Sequence, residues 1–340
     1  MTERELYVKC LVWDLDGTVW DGTLLEDRDV RLRPGVRDTL RALDERGIVH
    51  SVASHNDEAD ALAELAGLGL AEYFLRPRIG WSAKSVLLDQ VAERLRLSPG
   101  ALAYVDDRAY QLDEVRSARP EIRCYPADAV PRLPGLAEFS PPVTEAAAGR
   151  RRAYLDQHRR EDDEEAFTGP RHEFLAGLGT VLTVARAGDA DLARAEELTV
   201  RTHQLNTTGR TYSRAELAAL RGSPDHLLLM ASLRDRYGDS GQVGLVLLHT
   251  GPEVWTLRLL LLSCRVLGRG IGEALLAHVL RLARRAGAAT RAEFVPNDRN
   301  RVMHVALRFA GFAPVGGTLL EHRGEPPAVP GHLTLREVPA

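Results

Sequence analysis

The sequence predicts an α/β protein of two domains: a mostly parallel sheet wrapped by helices, then a second α/β domain with a different strand pattern. Three observations lead there. Short apolar runs alternate with helix-period segments through the first 140 residues, as strand–helix–strand units do. Beyond Gly179, three strand-like runs follow one another ahead of one long amphipathic helix. A chain of 340 residues is long for one domain and comfortable for two. The expected division is 1–140 and 179–340, with 141–178 as a linker and connecting helix.

In the first domain, strands are expected at Val8–Trp13, His50–Ala53, Ala101–Val105 and Ile122–Tyr125. Between the first two lies a helix with Val36, Leu40 and Leu43 on one face, stopped by Gly47. Asp57–Leu65 reads as another helix, and Ser82 is placed to cap one carrying Val86, Leu87, Val91 and Leu95. Pro126, Pro131, Pro134, Pro141 and Pro142 mark the edge of the domain. Arg150–Glu165, basic and then acidic, reads as a solvated connecting helix in preference to a docking surface.

The second domain opens with a strand at Val181–Ala185 and a helix at Asp191–Leu198. Strands follow at His226–Leu233, Gln242–His249 and Val254–Leu262. Ile271, Leu275, Val279 and Leu282 then share one helix face, with Gly287 past its end. A strand at Arg291–Val295, a helix near Asn300–Phe309 and closing strands complete it.

A hydrophobic fraction of 44% with 27% charged residues is ordinary for a soluble globular protein. The formal net charge of −4 favours neither nucleic acid nor an anionic membrane as partner. Cys10, Cys124 and Cys264 are too few and too widely spaced for a disulfide framework, and fit a reducing cytoplasm. The charged N-terminus MTERELYVKC lacks the apolar core of a signal peptide, and the apolar run Leu257–Leu262 is too short to span a bilayer. A cytoplasmic location is therefore expected.

The run VWDLDGTVWDG closes the first strand and holds Asp14 and Asp16 two residues apart. Like charges that close push one pKa upward, which suits a nucleophile beside a general acid/base. Gly17 permits a sharp turn, and Thr18 is expected to hydrogen-bond back into the loop. Three later segments also fall at strand ends or helix starts. Ser54, in SVASHND, presents a hydroxyl suited to a phosphoryl oxygen. Lys84, in GWSAKS, can neutralise phosphate and carboxylate charge. Asp106 and Asp107, in AYVDDR, offer oxygen ligands to a hard divalent cation. Each alone has a bland equivalent: a helix cap, a surface lysine, an acidic turn.

In this order the segments resemble the haloacid dehalogenase (HAD) superfamily of phosphotransferases, whose ligands bind at the carboxyl ends of a Rossmannoid parallel sheet. The resemblance implies that Asp14 attacks phosphorus while Asp16 protonates the leaving group and then activates water. It implies that Ser54 and Lys84 hold phosphoryl oxygens. It also implies Mg2+ bound by Asp14, the Asp16 backbone carbonyl and Asp106, with Asp107 nearby. About 40 residues separate Asp14 from Ser54 and about 30 separate Ser54 from Lys84, room for a flap but not for an inserted lid domain. Such an open site accepts a bulky or protein-tethered substrate.

In SCRVLGRGIGEALL, Arg265-x-x-Gly268-x-Gly270 stands between an apolar strand and a helix. Glycines there permit close backbone approach, and the helix N-terminus offers free N–H groups to phosphate. The loop resembles the pyrophosphate-binding loop of the GNAT N-acyltransferase fold. Asn300, followed eleven residues later by Gly311-Phe312, matches that fold's last helix and turn. The resemblance implies a pantetheine- and phosphate-binding loop of Arg265, Gly268 and Gly270. Leu307 stands where acetyltransferases commonly carry the tyrosine that protonates the departing thiolate, so ordinary amine acetylation is not expected. Cys264 is either an acyl-accepting nucleophile or a buried strand cysteine, whereas Cys10 and Cys124 are assigned to packing.

Both halves together resemble the FkbH-like family of polyketide biosynthesis, through VWDLDGTVWDG, SHNDEADA, GWSAKS, YVDDRAYQLDEVR, RTHQLNTTGRTYS, YGDSGQVG and SCRVLGRGIG. Gly17 stands where that family often has Asn, Asp21 replaces a frequent Gly, and His203 falls where Asn is usual. The resemblance implies a phosphatase and glyceryl transferase that converts 1,3-bisphosphoglycerate to a glyceryl thioester on an acyl carrier protein. Mg2+ and the carrier's phosphopantetheine are the cofactors it implies. The alternatives are a Mg2+-dependent phosphatase acting on a small phosphorylated metabolite, and a carrier-docking scaffold with a vestigial site.

Overall fold

A computed structural model describes residues 6–27 and 29–338. Residues 1–5, the start of the charged N-terminus considered above, lie outside the described residues. The chain forms two compact units, Met1–Leu155 and Asp156–Ala340. Among the described residues no helix is long and apolar enough to cross a membrane.

The strands of the first unit are β1 (Cys10–Trp13), β2 (Trp20–Asp21), β3 (Arg31–Leu32), β4 (Val49–Ser54), β5 (Arg78–Ile79), β6 (Leu102–Asp106) and β7 (Arg123–Pro126). Its helices are α1 (Val36–Glu45), α2 (Glu58–Gly67), α3 (Lys84–Leu95), α4 (Ala109–Ala118) and the short α5 (Glu145–Ala148). Five strands form a parallel sheet in the order β5-β4-β1-β6-β7, while β2 and β3 make a small hairpin after β1. The chain leaves β1 for β4 on one side and later returns to β6 on the other. A topological switch point therefore lies at the carboxyl end of β1, where open α/β sheets bind ligands.

Both sheet faces are covered. Leu11 and Trp13 of β1 pack in one core with Leu40 of α1 and Leu65 of α2; Cys10 and Val12 pack in the other with Val91 of α3 and Val115 of α4. Asp57 caps α2, accepting from the backbone N–H groups of Ala59 at 2.9 Å and Asp60 at 3.1 Å. Ser82 does not cap α3: Ala83 occupies that position without a side-chain bond, and the Ser82 carbonyl instead meets His55 Nε2 at 2.8 Å. The proline-rich passage is more than an edge, because its 3-10 turns at Ala127–Gly135 and Ala137–Phe139 bury Val130, Leu133 and Phe139.

Helix α6 (Arg150–Ala166) runs through the division between the units. It is not a simply solvated connector. In the first unit Arg151 pairs with Asp44 at 3.1 Å and Glu72 at 3.0 Å; in the second Arg160 is buried against Asp235 at 2.8 Å.

The second unit continues with α7 (Arg171–Gly177), β8 (Thr180–Arg186), α8 (Leu192–Arg201), α9 (Arg214–Gly222), β9 (His226–Asp235), β10 (Gly238–Thr250) and β11 (Val254–Leu262). It ends with α10 (Ile271–Arg285), β12 (Ala289–Glu293), α11 (Arg301–Phe309), β13 (Phe312–Gly316), β14 (Leu319–His322) and β15 (Leu333–Glu337). Eight strands form a mixed sheet in the order β13-β14-β12-β11-β10-β9-β8-β15. β11 and β12 run parallel across the α10 crossover, and β8 and β15 run parallel at the far edge. One face packs with α10 and α11, the other with α8 and α9. The fold class agrees with the expectation: a HAD-like Rossmannoid parallel sheet without a large cap, then a GNAT-like α/β unit.

Candidate functional site

Asp14 follows β1 directly, and its N–H still bonds the Val105 carbonyl at 2.9 Å, so its place is fixed by the ladder. The chain then turns around the Leu15 carbonyl, which accepts from the N–H groups of Thr18 at 3.1 Å and Val19 at 2.8 Å. Gly17 sits at φ +68°, a left-handed conformation that favours glycine, and the exposed Asp107 carboxylate occupies the space where a Cβ would stand. Thr18 plays a different part from the one expected. Its Oγ1 is buried without a hydrogen-bond partner, and only its backbone holds the turn.

Asp16 is immobilised by three donors. Its Oδ1 accepts from Trp20 Nε1 at 2.7 Å and Leu24 N at 3.1 Å, and its Oδ2 from Asn56 Nδ2 at 3.1 Å. Trp20 comes from the hairpin and Asn56 from the loop after β4; sequence reasoning passed over both. The signal for Asn56 lay in SHND, two residues beyond the serine that was chosen.

Ser54 ends β4, is buried, and its side chain joins Lys84 in favouring the ionised form of Asp14. Lys84, the first residue of α3, is 2% exposed. Its Nζ donates to Asp14 Oδ1 and to the Ala53 carbonyl at 2.8 Å, and lies 3.5 Å from Asp106 Oδ2. Asp106, at the end of β6, accepts from the Tyr104 hydroxyl and from Arg108 N at 2.8 Å. The structure thus brings Asp14, Asp16, Ser54, Lys84 and Asp106 to one cleft, which His55, Arg108 and Gln111 also line.

Burial is the main force pushing the Asp14 carboxyl up to about 6, opposed by Lys84. The like charge that adds to it is Asp106 from a neighbouring strand, not the sequence neighbour Asp16 expected above. Burial, then Asp106, also raises the half-exposed Asp107.

Carboxylate oxygens of Asp14, Asp106 and Asp107 lie within 4.8 Å of one another. Three hard, anionic donors converging beside a polar cleft fit Mg2+. The Asp16 carboxylate is outside this cluster, turned to the three donors named above.

In the second unit, Cys264 and Arg265 belong to a short 3-10 turn after β11. Cys264 is half-buried with its Sγ 3.8 Å from Gln204 Oε1, so it is not a buried strand cysteine. Cys10 is fully buried, Cys124 partly, and Leu307 faces the core. Gly268 and Gly270 both have positive φ, at +79° and +75°. Yet the close approach at Gly270 is to this chain: a Cβ would meet Pro330 at 3.1 Å and His332 at 3.2 Å. The Gly268 carbonyl takes Arg171 Nη2 at 2.9 Å, and the Arg269 carbonyl meets His332 Nε2 at 3.0 Å.

The gap beyond the paired part of β11 and β12 is filled as well. Their register ends at Leu257 and Ala292, and the segment from Leu205 to Thr207 enters next to them. Thr207 N bonds the Leu260 carbonyl at 3.0 Å, Leu262 N bonds the Leu205 carbonyl at 2.9 Å, and Val295 N bonds the Thr207 carbonyl at 3.0 Å. Buried Asn300 ties the segment down, donating to the Asn206 carbonyl at 3.1 Å. These residues do not fit a pantetheine arm laid between the two strands, because the backbone groups it would bond are already used.

No family model matches the chain, and no curated protein matches it. Several solved structures align with it. The N-terminal part of a Bacteroides fragilis protein, containing a phosphatase domain complexed with Mg, aligns at 21% identity with a TM-score of 0.36. The alignment covers 40% of this chain and 40% of that one, so this chain spans well under half of that structure. The cobalt-bound deoxy-D-mannose-octulosonate 8-phosphate phosphatase of Haemophilus influenzae aligns at 18% identity over 35% of this chain and 68% of its own, with a TM-score of 0.29. An N-acetyltransferase of Thermoplasma acidophilum, in complex with coenzyme A, aligns at 18% identity over 42% of this chain and 99% of its own, with a TM-score of 0.35. The fold assignment rests on the strand orders described above.

Proposed function

We propose that this chain is a Mg2+-dependent phosphatase whose chemistry runs at the carboxyl end of β1. The observation that carries this reading is a buried Asp14 carboxylate held by Lys84, beside an Asp16 immobilised by three donors and a three-carboxylate cation cluster. An Asp14 oxygen attacks phosphorus, the bond from phosphorus to the leaving oxygen breaks, and Asp16 gives that oxygen its proton. The product is an aspartyl phosphate on Asp14 and a free alcohol. Asp16 then takes a proton from water as the water oxygen attacks phosphorus, which releases inorganic phosphate and restores Asp14. Lys84 and Ser54 orient Asp14 and balance charge on the phosphoryl oxygens. Mg2+ at Asp14, Asp106 and Asp107 neutralises charge on the transferring group when bound.

The finer reading is that of the FkbH-like family, supported by the co-occurrence of its motifs along the chain. The first unit removes the 3-phosphate of 1,3-bisphosphoglycerate. A thiolate attacks the acyl carbon and expels the second phosphate, either Cys264, which then passes the glyceryl group to the pantetheine thiol of an acyl carrier protein in the cytoplasm, or that pantetheine thiol directly. Phosphate release with and without Mg2+ tests the first reading; no release from any phosphomonoester overturns it. Intact-mass measurement of a carrier incubated with the enzyme, Mg2+ and 1,3-bisphosphoglycerate tests the second. A glyceryl adduct lost in Cys264→Ser supports it; phosphate release without an adduct leaves a phosphatase alone.

A further inference from the structure

The cleft carries two cations that stand in different circumstances. Lys84 is buried: its ammonium donates to Asp14 and to the Ala53 carbonyl and lies 3.5 Å from Asp106. Arg108, two residues past Asp106, lines the same cleft but is exposed. Among the described residues no carboxylate forms an ion pair with its guanidinium; its side-chain partner is the Tyr110 hydroxyl, at 3.3 Å. That hydroxyl also accepts from Gln111 Nε2 at 3.1 Å, which fixes the direction from which Arg108 is held. Gln111 is buried and lies 3.5 Å from His55 Nδ1, so the rim on this side is lined by polar groups held by one another.

A guanidinium presents a planar fork of donors that matches a carboxylate or phosphate, and a fork at a cleft that no carboxylate pairs with suits an anionic ligand. The transferring phosphoryl group is already served by Lys84, Ser54 and the cation cluster. We infer that Arg108 selects substrates carrying a second anionic group, a carboxylate or a phosphate, away from the phosphoryl group being removed. The inference rests on the phosphatase reading and deepens it: the substrate class is small phosphate esters with a second negative charge, rather than neutral monoesters.

The test compares 3-phosphoglycerate, which has a carboxylate, with glycerol 3-phosphate, which has none, using the full chain and Mg2+. The wild type is expected to favour 3-phosphoglycerate in kcat/KM. Arg108→Gln is expected to shrink that preference about tenfold or more, through KM for 3-phosphoglycerate rather than kcat, and Arg108→Lys to restore part of it. An unchanged ratio in Arg108→Gln, or an equal loss on both esters, overturns the inference and leaves the phosphatase reading standing. No turnover of either ester by the wild type overturns the inference, and the phosphatase reading falls with it only when no other phosphomonoester is hydrolysed.

Discussion

The loop after β1 and the loop after β11 both leave a strand end through glycine in the left-handed region, Gly17 in one and Gly268 and Gly270 in the other, yet the structure uses them in opposite ways. After β1, polar side chains from three parallel strand ends converge on a cleft, and Arg108 lines it held by the Tyr110 hydroxyl, with no carboxylate ion pair among the described residues. After β11, the corresponding groups are spent on the fold. Arg269 is buried against Asp235, Gly270 is covered by Pro330 and His332, and the strand gap is closed by the segment ending at Thr207. Charge placed at a cleft is available for chemistry, whereas Arg160 and Arg269, buried against one carboxylate, serve the fold.

The sharpest way to break this contrast is to change one aspartate in each place. Asp14→Asn is expected to lower kcat for phosphate release by about 10⁴-fold or more. It should not lower stability in urea, since it removes a buried carboxyl already pushed up to about 6. A variant that is less stable in urea yet keeps its turnover when folded would reverse the assignment. Asp235→Ala is expected to do the opposite, costing about 3–5 kcal/mol in urea unfolding of the second unit because Arg160 and Arg269 lose their shared carboxylate. Phosphate release measured below its unfolding midpoint should persist.

Smaller effects sharpen the comparison within the first unit. Asp106→Asn is expected to raise the Mg2+ concentration for half-maximal activity by about a hundredfold, read from a titration of phosphate release against Mg2+. A variant with unchanged Mg2+ dependence removes Asp106 from the cation set.

The smallest effect concerns a buried polar group away from the cleft. His50 accepts from Trp13 Nε1 at 3.2 Å through Nδ1 and meets the Leu40 carbonyl at 3.1 Å through Nε2, and burial lowers its pKa from 6.5 to about 3. Unfolded chains therefore take up a proton below pH 6.5 that folded chains refuse. Stability present above that pH is lost as pH falls toward about 3, at about 1.4 kcal/mol per pH unit. Between pH 7 and pH 5 His50 should account for about 2 kcal/mol of the loss in urea unfolding, and His50→Gln should lack that share.

Much of the candidate site was legible because it sits at strand ends, where an apolar run stops and a polar residue follows. Asp14, Ser54 and Asp106 are all of this kind. Lys84 was legible only through its order among them, since its burial depends on three strands meeting. Trp20 and Asn56 were not legible: they act by holding Asp16, a contact created by the hairpin and by β4 lying beside β1. Helix α9 was missed although Ser213 and Glu216 form a capping box, because its apolar face is short. The charged stretch at α6 misled because Arg160 finds its partner far along the chain at Asp235.

By itself the sequence determined where strands end, which residues stand at those ends, and that two α/β units follow one another. Those are local matters of apolar period and turn chemistry. Only the tertiary structure decided which like charge presses on Asp14, that the Asp107 carboxylate packs against Gly17, and that Gly270 in the second unit is covered by its own chain. Each of these depends on which strand lies beside which, and that is a property of packing between residues far apart in sequence.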